Sequence, residues 1–279
     1  MAFSASKKRE TKLKGPTVKG RLLIPSAAVE SWYRGQMQAI TNAMINDYRE
    51  QVKDALDRSQ VKEFFTTDAS VSSIFAALFN RMNDKWNRVY AGFAAKVAPE
   101  FVKKGEEHAD ASTLFSLSTM GVQHPTKAYN ANVANTLSAS VNFNHTLITG
   151  IQQEVHEKIH SAVMLSLTSP DPAQQGKTGI QNALKEVGGF SKKRIALIAE
   201  DQNSKLYASI SDERMLQNGV DEFEWAHSSA GKTPRPSHVA KDGLIFKLND
   251  PRLWEGPKAD QGPPGWAIRC RCRKLPVIT

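Results

Sequence analysis

Residues 26–58, SAAVESWYRGQMQAITNAMINDYREQVKDALDR, decide the fold of the first half of this chain. Their apolar side chains recur three or four positions apart, which is the spacing that places them on one face of an α-helix. The stretch therefore predicts one long amphipathic helix whose apolar face must be covered by other helices. The residues that form this face are Val29, Trp32, Tyr33, Met37, Ile40, Met44, Tyr48, Val52 and Leu56.

Helical patterns continue as far as residue 168. They predict helices over 60–66, 70–97 and 98–119, with Pro99 as a break because proline removes a backbone donor. Two further helices are predicted within 126–168. Because no strand pattern lies between these stretches, we expect an all-α N-terminal region.

The pattern changes after TSPDPAQQGKTG, residues 168–179, where prolines and glycines predict a domain boundary. Helices are predicted over 180–187 and, after a break at GGFS with Ser191 as N-cap, over about 192–217. FEWAHSS, GLIFKL and the closing WAIRCRCRKLPVI have the alternation of strands. The predicted fold is mainly α: a basic disordered arm (1–24), a helical domain (25–168) and a small α+β domain (169–279).

Charge is concentrated at the two ends of the 279-residue chain, whose net charge is +9. Seven cations stand against Glu10 alone in the first 21 residues, and four cations without an acid stand in the last 19. Such ends can lie along a phosphate backbone without reading its sequence, although a solvated tail that aids solubility is the alternative. The cations predicted to contact DNA non-specifically are Lys7, Lys8, Arg9, Lys12, Lys14, Arg269, Arg271 and Arg273.

The sequence also limits compartment and redox chemistry. No run approaches the roughly 18 apolar residues of a membrane span, so no membrane partner is expected. The first residues lack the apolar stretch of a signal peptide, which predicts synthesis in a cytoplasm. Cys270 and Cys272 are the only cysteines, and a bond between them would close a very small, strained ring. A disulfide framework is therefore excluded.

One short string has the form of a zinc-hydrolase motif. His156-Glu157-Lys158-Ile159-His160 matches H-E-x-x-H, in which two histidines one helical turn apart bind zinc. A third ligand would be needed, and the nearest downstream glutamate is Glu186, beyond the Pro/Gly boundary. Both histidines also fall about 100° past the apolar stripe. We therefore favour exposed histidines on an amphipathic helix and keep a zinc-dependent hydrolase as the alternative.

The C-terminal part carries a more specific pattern in three pieces. They are RIALIAEDQNSKL (194–206), W…R-P-S-H-x-A-x-D-G-x-x-F (225–246) and G-x-P-G…C-R-C. In these pieces the chain resembles the phage Mu F-like minor head proteins over about residues 150–279. One departure is Glu200, at a position where relatives commonly carry arginine. The residues that carry the resemblance include Arg194, Asp201, Gln202, Arg235, His238, Gly243, Cys270 and Cys272.

The resemblance implies a virion component and not an enzyme. Proteins of this family associate with the portal vertex during head assembly, so the expected partners are portal protein, other head or scaffold proteins and packaged double-stranded DNA. The expected location is the capsid interior near the portal vertex. A plain non-specific DNA-binding protein remains an alternative. So does a toxin-like effector, for which His238 with Asp242 would be the acid–base pair.

The Cys-x-Cys pair also raises the possibility of a structural zinc ion. Residues two apart in an extended strand point the same way, so Cys270 and Cys272 would both face one ion. His238 or His227 would supply a further ligand. Three ligands are one short of a closed structural site, and the alternative is that the thiols pack as small buried apolar groups. Otherwise no cofactor is expected.

Overall fold

Four long helices form the body of the protein in the computed structural model, which describes residues 17–59, 68–171, 174–228 and 234–279. They are α1 (Ala27–Ser59), α2 (Asp68–Thr119), α3 (Ala131–Thr168) and α4 (Gly176–Gln217). A four-stranded antiparallel sheet completes the fold, with one strand before the helices and three after them, and the short helix α5 (Pro236–Val239) lies in sequence between two of its strands. This arrangement confirms a mainly α fold with a small α+β C-terminal part.

The α1 stripe is buried as its spacing predicts. Tyr33, Met37, Met44 and Tyr48 have no measurable exposure. The tyrosine hydroxyls that this burial removes from water find partners on neighbouring helices, as buried polar groups must. Tyr33 donates to Asn144 Oδ1 of α3 at 2.9 Å, and Tyr48 bonds His156 Nδ1 of α3 at 2.6 Å. These bonds fix how α1 lies against α3.

Helices α2 and α4 run through breaks that the sequence predicts. α2 continues across Pro99, and α4 continues across Gly188 and Gly189. The predicted N-cap Ser191 instead lies inside α4, where its hydroxyl donates to the Val187 carbonyl at 2.5 Å. The predicted pair of helices in 126–168 is likewise the single helix α3, which begins after the N-cap Asn130. The prediction over 60–66 falls outside the described residues.

The sheet joins the two ends of the described chain. Its strand order is β1 (Val18–Lys19), β4 (Arg273–Ile278), β2 (Glu222–Ala226) and β3 (Ile245–Lys247). β4 pairs with β2 from Ala226↔Arg273 to Glu222↔Val277, and β1 covers the other edge of β4 with Val18 opposite Ile278. Gly20 and Leu23 extend this pairing, since their amides donate to the carbonyls of Pro276 and Lys274.

The prediction that residues 1–24 are all disordered is therefore wrong for 18–24. Leu23 is buried at 3% exposure, and Lys19 forms an ion pair with Glu224 of β2. The stretch lacks a strand pattern of its own because its order comes from a partner strand at the far end of the chain. Residues 1–16, which hold Lys7, Lys8, Arg9, Lys12 and Lys14, lie outside the described residues.

One continuous set of buried apolar side chains connects the bundle with the sheet. It extends from Tyr33 and Phe101, whose rings stack 4.1 Å apart, through Leu206 and Ile210 of α4 to Trp225 of β2. The predicted domain boundary at 168–179 includes the last residue of α3 and the first residues of α4, and α4 packs inside the bundle. The sheet is connected to the bundle through α4, whose Asp212 pairs with Lys274 of β4.

Candidate metal centre

His238, Cys270 and Cys272 meet beside the sheet. His238 lies on α5, which begins at Pro236, a residue whose fixed φ suits the first helical position. The cysteines lie in the segment before β4, where Arg269 takes a left-handed φ of 60° and turns the chain. All three side chains are buried, at 2–4% exposure. The strand β4 begins only at Arg273, so the two cysteines precede the strand and do not lie within it as predicted. Both sulfurs nevertheless face His238.

The three side chains present their ligand atoms to one point. His238 Nδ1 is 3.5 Å from Cys270 Sγ and 3.7 Å from Cys272 Sγ, and all three ligand atoms lie within 4.8 Å of one another. Among the described residues, this is the one group of at least three His, Cys, Asp or Glu side chains close enough to share an ion. The predicted ligand set is therefore brought together.

The ring of His238 is oriented by its other nitrogen. Nε2 lies 2.9 Å from the carbonyl oxygen of Asp260. Because a carbonyl only accepts, Nε2 carries the proton and Nδ1 faces the sulfurs. A backbone carbonyl on the second ring nitrogen is the usual support of a metal-ligating histidine, since it fixes both tautomer and orientation.

N–H groups surround the two sulfurs. The Gly265 amide donates to Cys270 Sγ at 3.5 Å. The indole of Trp225 lies against Cys272, and its fully buried Nε1 has no partner of ordinary hydrogen-bond geometry. Donors aimed at a sulfur favour the thiolate over the thiol, because a thiolate accepts more strongly. The surroundings therefore suit a negatively charged or metal-bound sulfur better than an apolar thiol.

The protonation of the cluster follows from these contacts. The hydrogen bond from Cys272 lowers the pKa of Cys270 to about 4, against the opposing effect of burial, and His238 adds to the lowering. The pKa of Cys272 is raised, because it is the donor to Cys270 and because it is buried. Burial lowers the pKa of His238, but its bonds to Cys270 and to the Asp260 carbonyl outweigh burial and raise it. The contacts within the cluster therefore favour the thiolate form of Cys270.

Asp260 holds this arrangement together and was missed by sequence reasoning. Its carboxylate accepts from Ser237 Oγ at 2.6 Å and pairs with Arg235 Nε at 2.8 Å, while its carbonyl holds His238. Arg235 also donates to the Ile268 carbonyl at 2.8 Å, which connects α5 to the turn before Cys270. Asp260 lies in a Pro/Gly-rich loop without periodicity. Its position between two pieces of the family motif is the one sequence feature that could have identified it.

The cluster forms part of the wall of a groove of about 780 Å³ beside α4, called here the α4 groove. Arg269 and Arg271 are exposed along it, and Arg271 Nε pairs with Glu200 at 3.0 Å. The departure at Glu200 thus places a partner for Arg271 on α4. The other lining residues include Lys193, Leu197, His227, Pro234 and Arg235.

Not every predicted DNA-contacting cation at the C-terminal end faces solvent. Arg273 is half-buried and donates to the Cys272 carbonyl at 2.9 Å. The neighbouring Lys274 is buried at 3% exposure and forms an ion pair with Asp212 of α4. Arg269 and Arg271 are therefore the exposed cations of this segment.

The remaining motif residues have structural roles in the same region. Arg194 joins α4 to α3 through Glu154, with contacts of 3.1 and 3.3 Å. Asp201 bonds Gln202 and Lys205 on α4. Gly243 has a φ of 75°, which suits glycine, and its amide donates to the Trp225 carbonyl at 2.8 Å, closing the chain between β2 and β3.

The H-E-x-x-H histidines lie between helices. His156 bonds Tyr48 of α1, and the ring of His160 meets Phe79 of α2 edge-on, with centroids 4.8 Å apart. Both are half-buried, so their predicted position on the solvent side is wrong: α1 and α2 cover the flank next to the stripe. Within the described residues, they gather no third ligand. The toxin-like pair also does not form, because the ring nitrogens of His238 face the Asp260 carbonyl and the two sulfurs, while Asp242 accepts from the His227 amide.

The fold and the cluster define an α-helical protein that carries a small β-module assembled around a histidine and two cysteines. Residues 153–275 match the family model described as phage Mu protein F like protein. This match confirms the resemblance to the phage Mu F-like family that the motifs of that part of the chain show. The family suggests a phage head morphogenesis protein.

An uncharacterized protein of Haemophilus influenzae (strain ATCC 51907 / DSM 11121 / KW20 / Rd) is 29% identical over 261 residues. The alignment covers 91% of this chain and 54% of that protein, so the chain spans about half the length of this relative. No solved structure matches the chain. None of the helices in the described ranges combines the length and apolar character needed to cross a bilayer.

Proposed function

We propose that the protein is a minor capsid component of a tailed phage that acts in head morphogenesis at the portal vertex, inside the virion. The single observation that carries this proposal is the family match over residues 153–275. Resemblance to a family of structural head proteins is consistent with a structural role and not a catalytic one. The partners we propose are the portal protein, other head or scaffold proteins and the packaged double-stranded DNA.

Exposed apolar side chains on the long helices support docking on another protein. Single exposed apolar residues are ordinary on protein surfaces, but several large ones lie on the bundle helices here. The proposed contact with portal or scaffold protein would cover such residues. They include Ile74, Val89, Phe115, Phe143 and Leu165, each at least 41% exposed.

The test of this proposal uses heads purified from the phage that encodes the protein. We expect the full-length chain in DNA-filled and in empty heads, at a copy number far below that of the major capsid protein. We also expect it to co-purify with the portal when the two are co-expressed, with the major capsid protein as the control for non-specific capture. Absence of the chain from both kinds of head would refute the proposal.

Contact with DNA gives a separate prediction. Neutralising Lys7, Lys8, Arg9, Lys12 and Lys14 to glutamine should weaken binding to any duplex and flatten its dependence on salt. The slope of log K against log[salt] changes by about 0.9 per phosphate contact, so five lost contacts would reduce it by about 4.5. The matched control neutralises five exposed lysines of the bundle, which are Lys53, Lys96, Lys103, Lys185 and Lys192. An unchanged slope in the five-residue variant would show that the arm makes no phosphate contacts.

A further inference from the structure

We propose that His238 Nδ1, Cys270 Sγ and Cys272 Sγ bind one Zn²⁺ ion, with solvent from the α4 groove as the fourth ligand. This inference goes beyond the proposed head function and does not depend on it. The three residues come from two segments, α5 and the stretch before β4, which an ion at this point would join.

The distances fit a tetrahedral zinc ion. Zinc binds cysteine sulfur at about 2.3 Å and histidine nitrogen at about 2.0–2.1 Å, so a tetrahedral angle places the nitrogen about 3.6 Å from each sulfur. The observed separations from His238 Nδ1 are 3.5 Å to Cys270 and 3.7 Å to Cys272. The ligands therefore need little rearrangement to accept the ion.

The groups around the ligands match those of a metal site in two independent ways. The Asp260 carbonyl holds the second nitrogen of His238, which leaves the ligating nitrogen directed at the sulfurs. The Gly265 amide and the Trp225 indole face the sulfurs, and the indole nitrogen is buried without another partner. A simple apolar packing of two thiols explains neither the oriented imidazole nor the N–H groups aimed at sulfur.

The fourth position faces the α4 groove because all three ligands contribute to its wall. Two thiolates neutralise the charge of Zn²⁺, so the site itself is neutral, and binding displaces the protons that the cluster holds. The guanidinium of Arg235 does not pair with the thiolates in place of the ion, because it is held by Asp260 and the Ile268 carbonyl. The assigned donors, two soft sulfurs and an imidazole, select zinc over magnesium or calcium.

The test measures metal content of the full-length protein purified under reducing conditions. We expect one zinc per chain by elemental analysis, and after exchange with Co²⁺ a sulfur-to-cobalt charge-transfer band together with the visible bands of tetrahedral cobalt. The H238Q variant and the C270S/C272S double variant should lose the zinc and the charge-transfer band. Helical circular dichroism of each variant verifies that the bundle, which does not contain these residues, is intact.

Three control variants make the assignment specific. H156Q and H160Q change the H-E-x-x-H histidines, and H227Q changes the other histidine beside the α4 groove, so all three should keep one zinc per chain. Loss of zinc in any of these variants would overturn the assigned ligand set. A reduced wild-type chain that binds no zinc, or a Co²⁺ complex without a charge-transfer band, would overturn the site itself without bearing on the head function.

Discussion

Arg214 joins three segments of the bundle, and its replacement by methionine should be severely destabilising. The side chain is 2% exposed, and its guanidinium donates to both carboxylate oxygens of Asp110 of α2, at 2.6 and 3.1 Å. It also donates to the Ala128 carbonyl and to Gln217, each at 2.9 Å. R214M removes all four bonds and leaves Asp110, together with the neighbouring Glu106, without its cation.

The expected loss is about 3–5 kcal/mol, the usual cost of removing one partner of a buried ion pair. For a domain approaching this size, each kcal/mol lowers the melting temperature by about 2–4 °C, so we expect a fall of about 6–20 °C. Urea denaturation followed by circular dichroism measures the free energy of unfolding. R34M is the matched control, because Arg34 pairs with Glu30 at 2.7 Å on a more exposed face and should cost under about 1 kcal/mol.

The deficit of R214M should also depend on pH. Burial, followed by repulsion from Asp110, raises the pKa of Glu106, and Arg214 opposes both effects. Without Arg214 the folded-state pKa of Glu106 rises further above its unfolded value. A raised folded pKa gives stability that is present at low pH and is lost as pH rises, so the deficit of R214M should be larger at neutral pH than in mild acid. A loss below about 1 kcal/mol at neutral pH would refute the reasoning.

Two further predictions concern packing and protonation in the bundle. A Cβ at Gly105 of α2 would lie 2.4 Å from Leu206 Cδ2 of α4, so G105A should destabilise by about 1–3 kcal/mol. G92A, in open space on the same helix, should stabilise by about 0.5–1 kcal/mol, and equal effects in urea denaturation would contradict the close approach. Burial, followed by His160, lowers the pKa of His156, so folding stability should decline as pH falls below about 6.5. H156Q should flatten that decline in the same assay, and an unaltered pH profile would assign the titration to another group.

Periodicity predicted the helices wherever one apolar face was continuous. The predicted span 26–58 compares with Ala27–Ser59 in α1, because the stripe alone determines which residues are buried. The sequence prediction was wrong at Pro99 and at Gly188-Gly189, where helix breaks were predicted because local preferences oppose a helix by about 1–3 kcal/mol. Buried residues on both sides of each break, such as Ala98 and Phe101 around Pro99, supply more than that amount through packing.

Long-range pairing was beyond the sequence pattern. Strand β1 has two residues, and its order comes from β4 and from the burial of Leu23. Neither contact leaves a signal in the residues around Val18. The ligand residues were accessible from their types and spacing, whereas their convergence depends on a left-handed turn at Arg269 and on a backbone carbonyl at Asp260. Every residue has a backbone carbonyl, so the residue type at position 260 does not predict the orientation of His238.

The start of the family match within α3 has a physical reason in the contacts of α4. The β-module is tied to α4 by Arg271 with Glu200 and by the buried pair of Lys274 with Asp212. α4 is in turn tied to α3 by Arg194 with Glu154, one residue inside the matched range. A module that began at residue 169 would keep the first two pairs and lose the third. The matched stretch therefore includes the part of α3 that packs against α4, and α4 carries Glu200 on the wall of the α4 groove.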